Sequence, residues 1–160
     1  MREIIFKAKR IDNGEWVEGY LFDNGFGGEE KKYFVGGLVI EKYNGTACDE
    51  WDITGIDFCE IDPETICQFT GLFDKYGNKI WEHDIIKTVS DIYAHVKFGL
   101  YTTGFALEEC NQGFYVDFSV KTYLRHELGY WNNKVEVRGN IFDNRDLLQE
   151  EPDEQINISD

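Results

Sequence analysis

The chain consists of short segments rich in β-branched and aromatic residues, and clusters of Gly, Asn and Asp separate each segment from the next. This arrangement is typical of antiparallel proteins, because branched and aromatic side chains suit a pleated sheet while Gly, Asn and Asp suit tight turns. We therefore predict a mostly β fold of the α+β class. The predicted strands are residues 3–9, 15–22, 33–41, 65–72, 79–81, 84–89, 92–98, 103–108, 113–118 and 135–141.

Two stretches interrupt this pattern. Residues 23–32 contain three glycines without apolar alternation, which predicts an exposed connection between strands. Residues 41–65 are also rich in turn-forming residues, and Asn44-Gly45 is a hairpin signal within them.

The turn signal at Asp62-Pro63 marks a subdomain boundary. We predict an N-terminal antiparallel β subdomain over residues 1–62 and a C-terminal subdomain over 63–148. Residues 149–160 are acidic and contain no base, so we predict a solvated, flexible tail. The alternative for this tail is an acidic interaction segment.

One segment has helical periodicity. In residues 119–129 apolar side chains recur at the spacing of one helix face, and Gly129 stands where a glycine would end the helix. A further short helical turn is predicted after Asn144, whose side chain could cap it. The apolar face of the longer helix consists of Val120, Tyr123, Leu124 and Leu128.

The overall charge excludes one large class of functions. The chain holds 16 Lys and Arg against 31 Asp and Glu, a net charge of −15, whereas ordinary nucleic-acid binding needs a cationic surface. We therefore expect no direct binding to nucleic acid. Apolar residues make up 42% of the chain and aromatic residues 16%, so a disordered protein is also excluded.

The location of the protein follows from its apolar runs and its cysteines. The run at the amino terminus is too short for a signal-peptide core, and no stretch approaches the length of a membrane helix. We therefore expect a cytoplasmic protein that does not bind membranes. The four cysteines lack zinc-site spacing and should be free thiols in a reducing cytosol; they are Cys48, Cys59, Cys67 and Cys110.

The most patterned stretch is "GLFDKYGNKIWEHDII", residues 71–86. Asp74 suits the first position of a turn, and Gly77 suits the left-handed position that completes a three-residue hairpin loop. If the following residues stay extended, Glu82 and Asp84 share one face and could hold a divalent cation or act as an acid–base pair. If the chain turns there, they only satisfy local amides and solvent.

No other set of residues carries recognisable chemistry. The three histidines, His83, His95 and His126, fall on different predicted elements, and lone histidines are more often structural than ligands. The nucleotide-binding, metalloprotease and serine-hydrolase motifs are missing from the chain. We assign no catalytic, cofactor-binding or metal-ligating residues. The tryptophans could line a ligand groove, but we expect them to pack in the core; they are Trp16, Trp51, Trp81 and Trp131.

The segment "CQFTGLFDKYGNKIWEHDIIK", residues 67–87, resembles the conserved block of the YopX family of phage and prophage proteins. Residues 2–22 resemble the start of that family, 94–101 its following strand and 137–148 its ending. Family members usually have Gly between the two acidic residues of the corner, where this chain has His83. Histidine tolerates positive φ, so the turn can persist.

The resemblance implies a small phage or prophage accessory protein of unknown biochemical activity, with no catalytic residues to carry over. It also suggests an SH3-like small β-barrel with one short helix for the C-terminal subdomain, by analogy alone. We expect a non-enzymatic module in the cytoplasm of the bacterial host that binds a host or phage protein through exposed β surface. Self-association is a further expectation, because a copy of the chain can cover an exposed edge.

Two alternatives to this function remain open. The protein could be an acidic DNA mimic that acts as a decoy inhibitor of a host enzyme. It could also be a metal-dependent enzyme that uses Glu82 and Asp84, with Asp74 as a further ligand.

Overall fold

The computed structural model of the protein describes residues 3–42, 51–102, 110–118 and 124–148. These residues form antiparallel sheets and one short helix, which confirms the predicted mostly β fold. The predicted strand over residues 103–108 and the predicted tail over 149–160 lie outside the described residues, as do the Asn44-Gly45 turn and Cys48.

The helix, α1, spans Leu128–Trp131. The strands are β1 (Phe6–Lys9), β2 (Trp16–Asp23), β3 (Tyr33–Lys42), β4 (Trp51–Glu60), β5 (Cys67–Phe73), β6 (Lys79–Trp81), β7 (Asp84–Lys87), β8 (Tyr93–Thr102), β9 (Cys110–Phe118) and β10 (Glu136–Asn140).

The chain divides into two compact units, Met1–Phe69 and Thr70–Asp160. The sequence predicts a boundary at Asp62-Pro63, where Asp62 accepts a hydrogen bond from the Glu64 amide and begins a 3-10 turn. The first unit continues past that turn, because the start of β5 pairs with β1.

In the first unit the strands follow the order β4-β3-β2-β1-β5, and the pairing is antiparallel throughout. Ala8, Val35 and Ile61 are buried at the centre of its small core. The partly buried side chains packed around them are Val17, Leu21, Tyr33 and Ile66. The predicted connection over residues 23–32 is exposed for nearly its whole length and includes one 3-10 turn at Gly28–Glu30, which confirms it as a surface connection.

Strand β4 lies in the region that the sequence analysis treated as a turn-rich connection, so that prediction is wrong. β4 pairs with β3 along its whole length, and Val39 pairs with Gly55 while Ile40 pairs with Ile53. Thr54 is therefore an extra residue in the ladder, a β-bulge that shifts the phase of the apolar alternation. Because of this shift, the apolar residues of β4 do not follow a strict two-residue period along the whole strand.

In the second unit the four-stranded sheet has the order β10-β7-β8-β9. The end of β5 pairs with β6 in a hairpin, in which Thr70 Oγ1 donates a hydrogen bond to the Ile80 carbonyl at 2.7 Å. The described strands do not close into a barrel, so the predicted SH3-like barrel is not confirmed. The buried core consists of Ile80, Ile86, Ala94, Val96, Val116, Phe118, Leu128, Trp131 and Val135.

The helix predicted over residues 119–129 is not formed where the structure describes it. Residues 124–127 are not helical, and Gly129 lies inside α1 instead of after its end. The burial of Leu128 and Trp131 accounts for α1, because these two side chains belong to the core of the second unit. Val120 and Tyr123 lie outside the described residues.

The short helical turn predicted after Asn144 is confirmed as a 3-10 turn over Arg145–Leu147. The predicted side-chain cap is wrong. Asn144 Oδ1 instead accepts a hydrogen bond from the Asn140 amide at 3.3 Å, since the chain folds back on itself directly after β10.

Candidate functional site

The hairpin between β5 and β6 is organised by one buried carboxylate. Asp74 is 1% exposed, and its Oδ1 accepts hydrogen bonds from the amides of Tyr76 and Asn78, each at 2.8 Å. Its Oδ2 accepts from the Asn78 side chain at 3.0 Å and from the Val137 amide at 3.1 Å. The predicted turn is therefore confirmed, and the carboxylate also ties the hairpin to β10.

These hydrogen bonds set the ionisation of Asp74. Burial by itself raises the pKa of the carboxyl group, but the bonds from Asn78, Val137 and Tyr76 outweigh it and hold the pKa below its ordinary value. Asp74 is thus a charged structural group at neutral pH. Its acceptor sites point at amides of its own hairpin and of β10.

Gly77 completes the same turn in the left-handed conformation, with φ +84°. Replacement by Val would place a branched side chain where L-residues are disfavoured, at a cost of about 1–2 kcal/mol or more. We expect Gly77→Val to lower the free energy of unfolding clearly, as measured by urea denaturation. Gly77→Asn is the matched control, because asparagine tolerates positive φ, and equal losses for the two variants would contradict the turn assignment.

The chain turns at the acidic corner over Glu82–Asp84 and does not stay extended. The residues of this corner form hydrogen bonds with backbone groups. His83 has φ +67°, and Asp84, which is 1% exposed, accepts a hydrogen bond from the Trp81 amide at 2.8 Å. The His83 amide donates to the Val96 carbonyl at 2.8 Å, and the His83 carbonyl accepts from the Ile141 amide at 3.0 Å. The corner thus holds together β8 and the chain that follows β10.

The same corner does not gather enough carboxylates for the divalent-cation site that was left open as an alternative. Among the described residues, His, Cys, Asp and Glu side chains nowhere form a group of three or more that could hold a metal ion. Asp74, proposed as a further ligand, is engaged by amides of its own hairpin.

Two of the three histidines, which the sequence places on different elements, are brought together by the fold. His83 Nδ1 lies 3.3 Å from His95 Nε2, and the rings are 5.5 Å apart between centroids. Burial, then the charges of Lys97 and His83, lower the pKa of His95 to about 4. His126 lies elsewhere, with its Nδ1 2.9 Å from the Val116 carbonyl oxygen.

A second candidate lies on the first unit, where one face of β2, β3 and β4 carries exposed apolar side chains. The register places Tyr20 and Phe58 on either side of Gly36, and Leu38 beside Ile56. Each of these four large side chains is at least half exposed. They surround a groove of about 740 Å³ whose lining residues are Tyr20, Phe22, Asp23, Asn24, Phe34, Gly37, Leu38, Ile56 and Phe58. We call this surface the aromatic groove.

Charged residues close to the aromatic groove are paired with one another. Lys31 Nζ lies 3.3 Å from Asp23, and Lys32 Nζ lies 3.0 Å from Glu60. The Gly25 amide and the Lys31 ammonium lower the pKa of Asp23, which therefore stays ionised at neutral pH. The groove is thus apolar, and its neighbouring charges are largely compensated.

The tryptophans whose side chains the structure describes do not line this groove. Trp81 and Trp131 are buried in the second unit, which confirms the prediction of core packing for these two residues. Trp131 Nε1 also donates to the Arg125 carbonyl at 2.7 Å. Trp16 lies under the ammonium groups of Lys7 and Lys9, and the Trp51 side chain lies outside the described part of the chain.

The aromatic groove was not predicted from the sequence because strand β4 was not predicted. Ile56 and Phe58 alternate with polar residues in the way a strand requires, but this short run stands between the Thr54 bulge and the Asp62-Pro63 turn. A pairing search that allows one bulge would have aligned this run with Leu38 and Phe34 of β3.

Comparison with known families gives one result that covers most of the chain. The family described as YopX protein matches residues 6–149. The chain belongs to the YopX family. The match extends from β1 through the 3-10 turn after β10, so the resemblance noted in the sequence is confirmed across both units. Among curated proteins, none matches the chain.

Family membership and structure agree at the corner. YopX members usually have glycine where this chain has His83, and the backbone there is left-handed, as glycine would allow. Membership in the YopX family does not indicate a biochemical activity. Within the described ranges, the helix is too short to cross a bilayer.

Proposed function

We propose that this YopX protein is a non-enzymatic phage or prophage accessory protein that binds a host or phage protein through the aromatic groove and the neighbouring edge of β4. The observation that carries the proposal is the exposure of large apolar side chains on one sheet face. Ile56 is 62% exposed, Tyr20 56% and Leu38 55%. Contiguous apolar surface of this kind marks interaction sites in folded proteins.

The position of β4 at the edge of its sheet favours a partner that binds as an extended segment. Among the described strands, β4 has a neighbour on one side only, so its other edge can accept a further strand. A segment with alternating apolar residues could pair along this edge and insert its side chains into the groove. Each large side chain so covered would contribute on the order of 1 kcal/mol.

The charges near the groove distinguish this proposal from the acidic decoy. Asp23 and Glu60 are already paired with lysines, so an interface here depends mainly on apolar burial. The affinity should therefore change little with added salt, whereas a DNA mimic would lose affinity steeply. Deleting residues 149–160 removes five carboxylates and tests the tail as a mimic.

The decisive experiment compares matched variants of a tagged protein in affinity purification from phage-infected or lysogenic cells. Leu38→Ser and Ile56→Ser should each reduce recovery of the partner strongly, while the melting temperature stays close to wild type because both positions are exposed. Leu100→Ser is the control, since Leu100 is 70% exposed on the second unit. Failure to enrich any protein over the untagged control would count against the proposal.

Two further measurements identify what occupies the groove. With the purified partner, amide hydrogen exchange in residues 51–60 should slow if a strand pairs with β4. Light scattering at two salt concentrations tests a second copy of the chain as the occupant. A monomer mass under both conditions excludes that occupant.

A further inference from the structure

The approach of His83 to His95 is fixed by backbone pairing. His95 lies on β8 directly opposite Ile85 of β7. His83 stands at the corner before β7, where its amide donates to the Val96 carbonyl at 2.8 Å. Both imidazoles therefore project from one hairpin whose backbone is joined by hydrogen bonds on either side of the pair.

The distance between the two ring nitrogens matches the bite of a tetrahedral metal ion. Two Zn–N bonds of about 2.0–2.1 Å at the tetrahedral angle hold their nitrogens about 3.3–3.4 Å apart. His83 Nδ1 and His95 Nε2 are 3.3 Å apart and share a hydrogen bond, so a metal ion between them would take the place of the shared ring proton. We propose that His83 and His95 form a two-imidazole site for a borderline divalent cation of the Zn²⁺, Ni²⁺ and Cu²⁺ class, with water completing the coordination.

The surroundings of His83 suit a ligand role. Metal-ligating histidines commonly direct their second ring nitrogen toward a carboxylate, which orients the ring. His83 Nε2 lies 3.9 Å from Glu82 Oε1, beyond hydrogen-bond distance, so this carboxylate supplies a nearby negative charge and does not fix the ring orientation. The Phe142 ring packs edge-on against the imidazole at 5.6 Å between centroids and limits its rotation.

Some of the charged groups that face His95 favour a bound cation, and others disfavour it. Lys97 and Arg145 disfavour a cation there, whereas Asp117 favours it and also pairs with the Lys97 ammonium. With two protein ligands and a nearby lysine, we expect weaker binding than at a four-ligand structural zinc site.

The site differs chemically from the carboxylate site considered for Glu82 and Asp84. Imidazole pairs select Zn²⁺, Ni²⁺ and Cu²⁺, whereas carboxylates select Mg²⁺, Mn²⁺ and Ca²⁺. Calorimetric titration of the tag-free full chain with metal ions of each class distinguishes the two kinds of site. We expect one Zn²⁺ per chain, a raised melting temperature that EDTA reverses, and no response to millimolar Mg²⁺.

Variants assign the ligands. His83→Gly should reduce Zn²⁺ affinity at least tenfold without destabilising the fold, because glycine suits the left-handed conformation at that position. His95→Gln should give the same loss, while His126→Gln, at the remaining imidazole, should leave Zn²⁺ binding unchanged. Absence of Zn²⁺ binding by the wild type, or binding that persists in His83→Gly, would show that the two rings are only hydrogen-bonded to each other.

Discussion

Replacement of Asp74 by Ala should lower the free energy of unfolding by about 3 kcal/mol, because it leaves several hydrogen-bond donors without their acceptor. The buried carboxylate accepts from the amides of Tyr76, Asn78 and Val137. Asp74→Asn keeps one oxygen acceptor and should cost about half as much. Urea denaturation at pH 7 measures both losses.

Asp91→Asn is the matched control for these variants. Asp91 also lies in a turn of the second unit, with φ +61°, but its side chain is 81% exposed and forms an ion pair with Lys87. Exposed ion pairs contribute little, so this variant should stay within about 0.5 kcal/mol of wild type. A loss for Asp91→Asn as large as that for Asp74→Asn would contradict the special role of Asp74.

The contribution of Asp74 should also depend on pH. Its pKa is lowered in the folded protein, so its stabilisation is fully present above the unfolded pKa of about 3.9 and is lost as pH falls through the folded pKa. The difference in stability between wild type and Asp74→Asn should therefore shrink as the pH is lowered below about 4. A constant difference down to pH 2 would contradict this assignment.

Gly36→Ala should have a comparably large effect on the first unit. A Cβ atom built on Gly36 would lie 2.5 Å from the Cα atom of Phe58, a backbone atom of β4 that cannot move without parting the two strands. Overpacking of this kind costs about 3 kcal/mol. Because Gly36 lies between Tyr20 and Phe58, the substitution should also weaken the binding proposed for the aromatic groove.

Gly37→Ala is the control at the next position of β3. A Cβ on Gly37 meets only the Tyr20 ring, at 3.9 Å, which is an ordinary contact. Thermal denaturation should show a clear loss for Gly36→Ala and a small change for Gly37→Ala. Equal melting temperatures for the two variants would show that β3 and β4 do not approach each other as closely as described.

The sequence by itself determined the turns and the fold class, because these depend on residues that are close together along the chain. Asp74 and Gly77 specify their hairpin because a turn-forming carboxylate and a left-handed glycine act within a few residues of each other. The β class followed in the same way from the segments rich in branched residues. Motifs in the right order along the chain predicted the family match at residues 6–149.

Tertiary structure alone decided the features on which the proposed binding sites depend. β4 is a strand because β3 pairs with it across a bulge, and the aromatic groove exists only when β2, β3 and β4 lie side by side. His83 and His95 meet because β7 and β8 pair in one register. In each case the decisive contact joins residues on different strands, and their register is set by the pairing of the strands and not by a local sequence pattern.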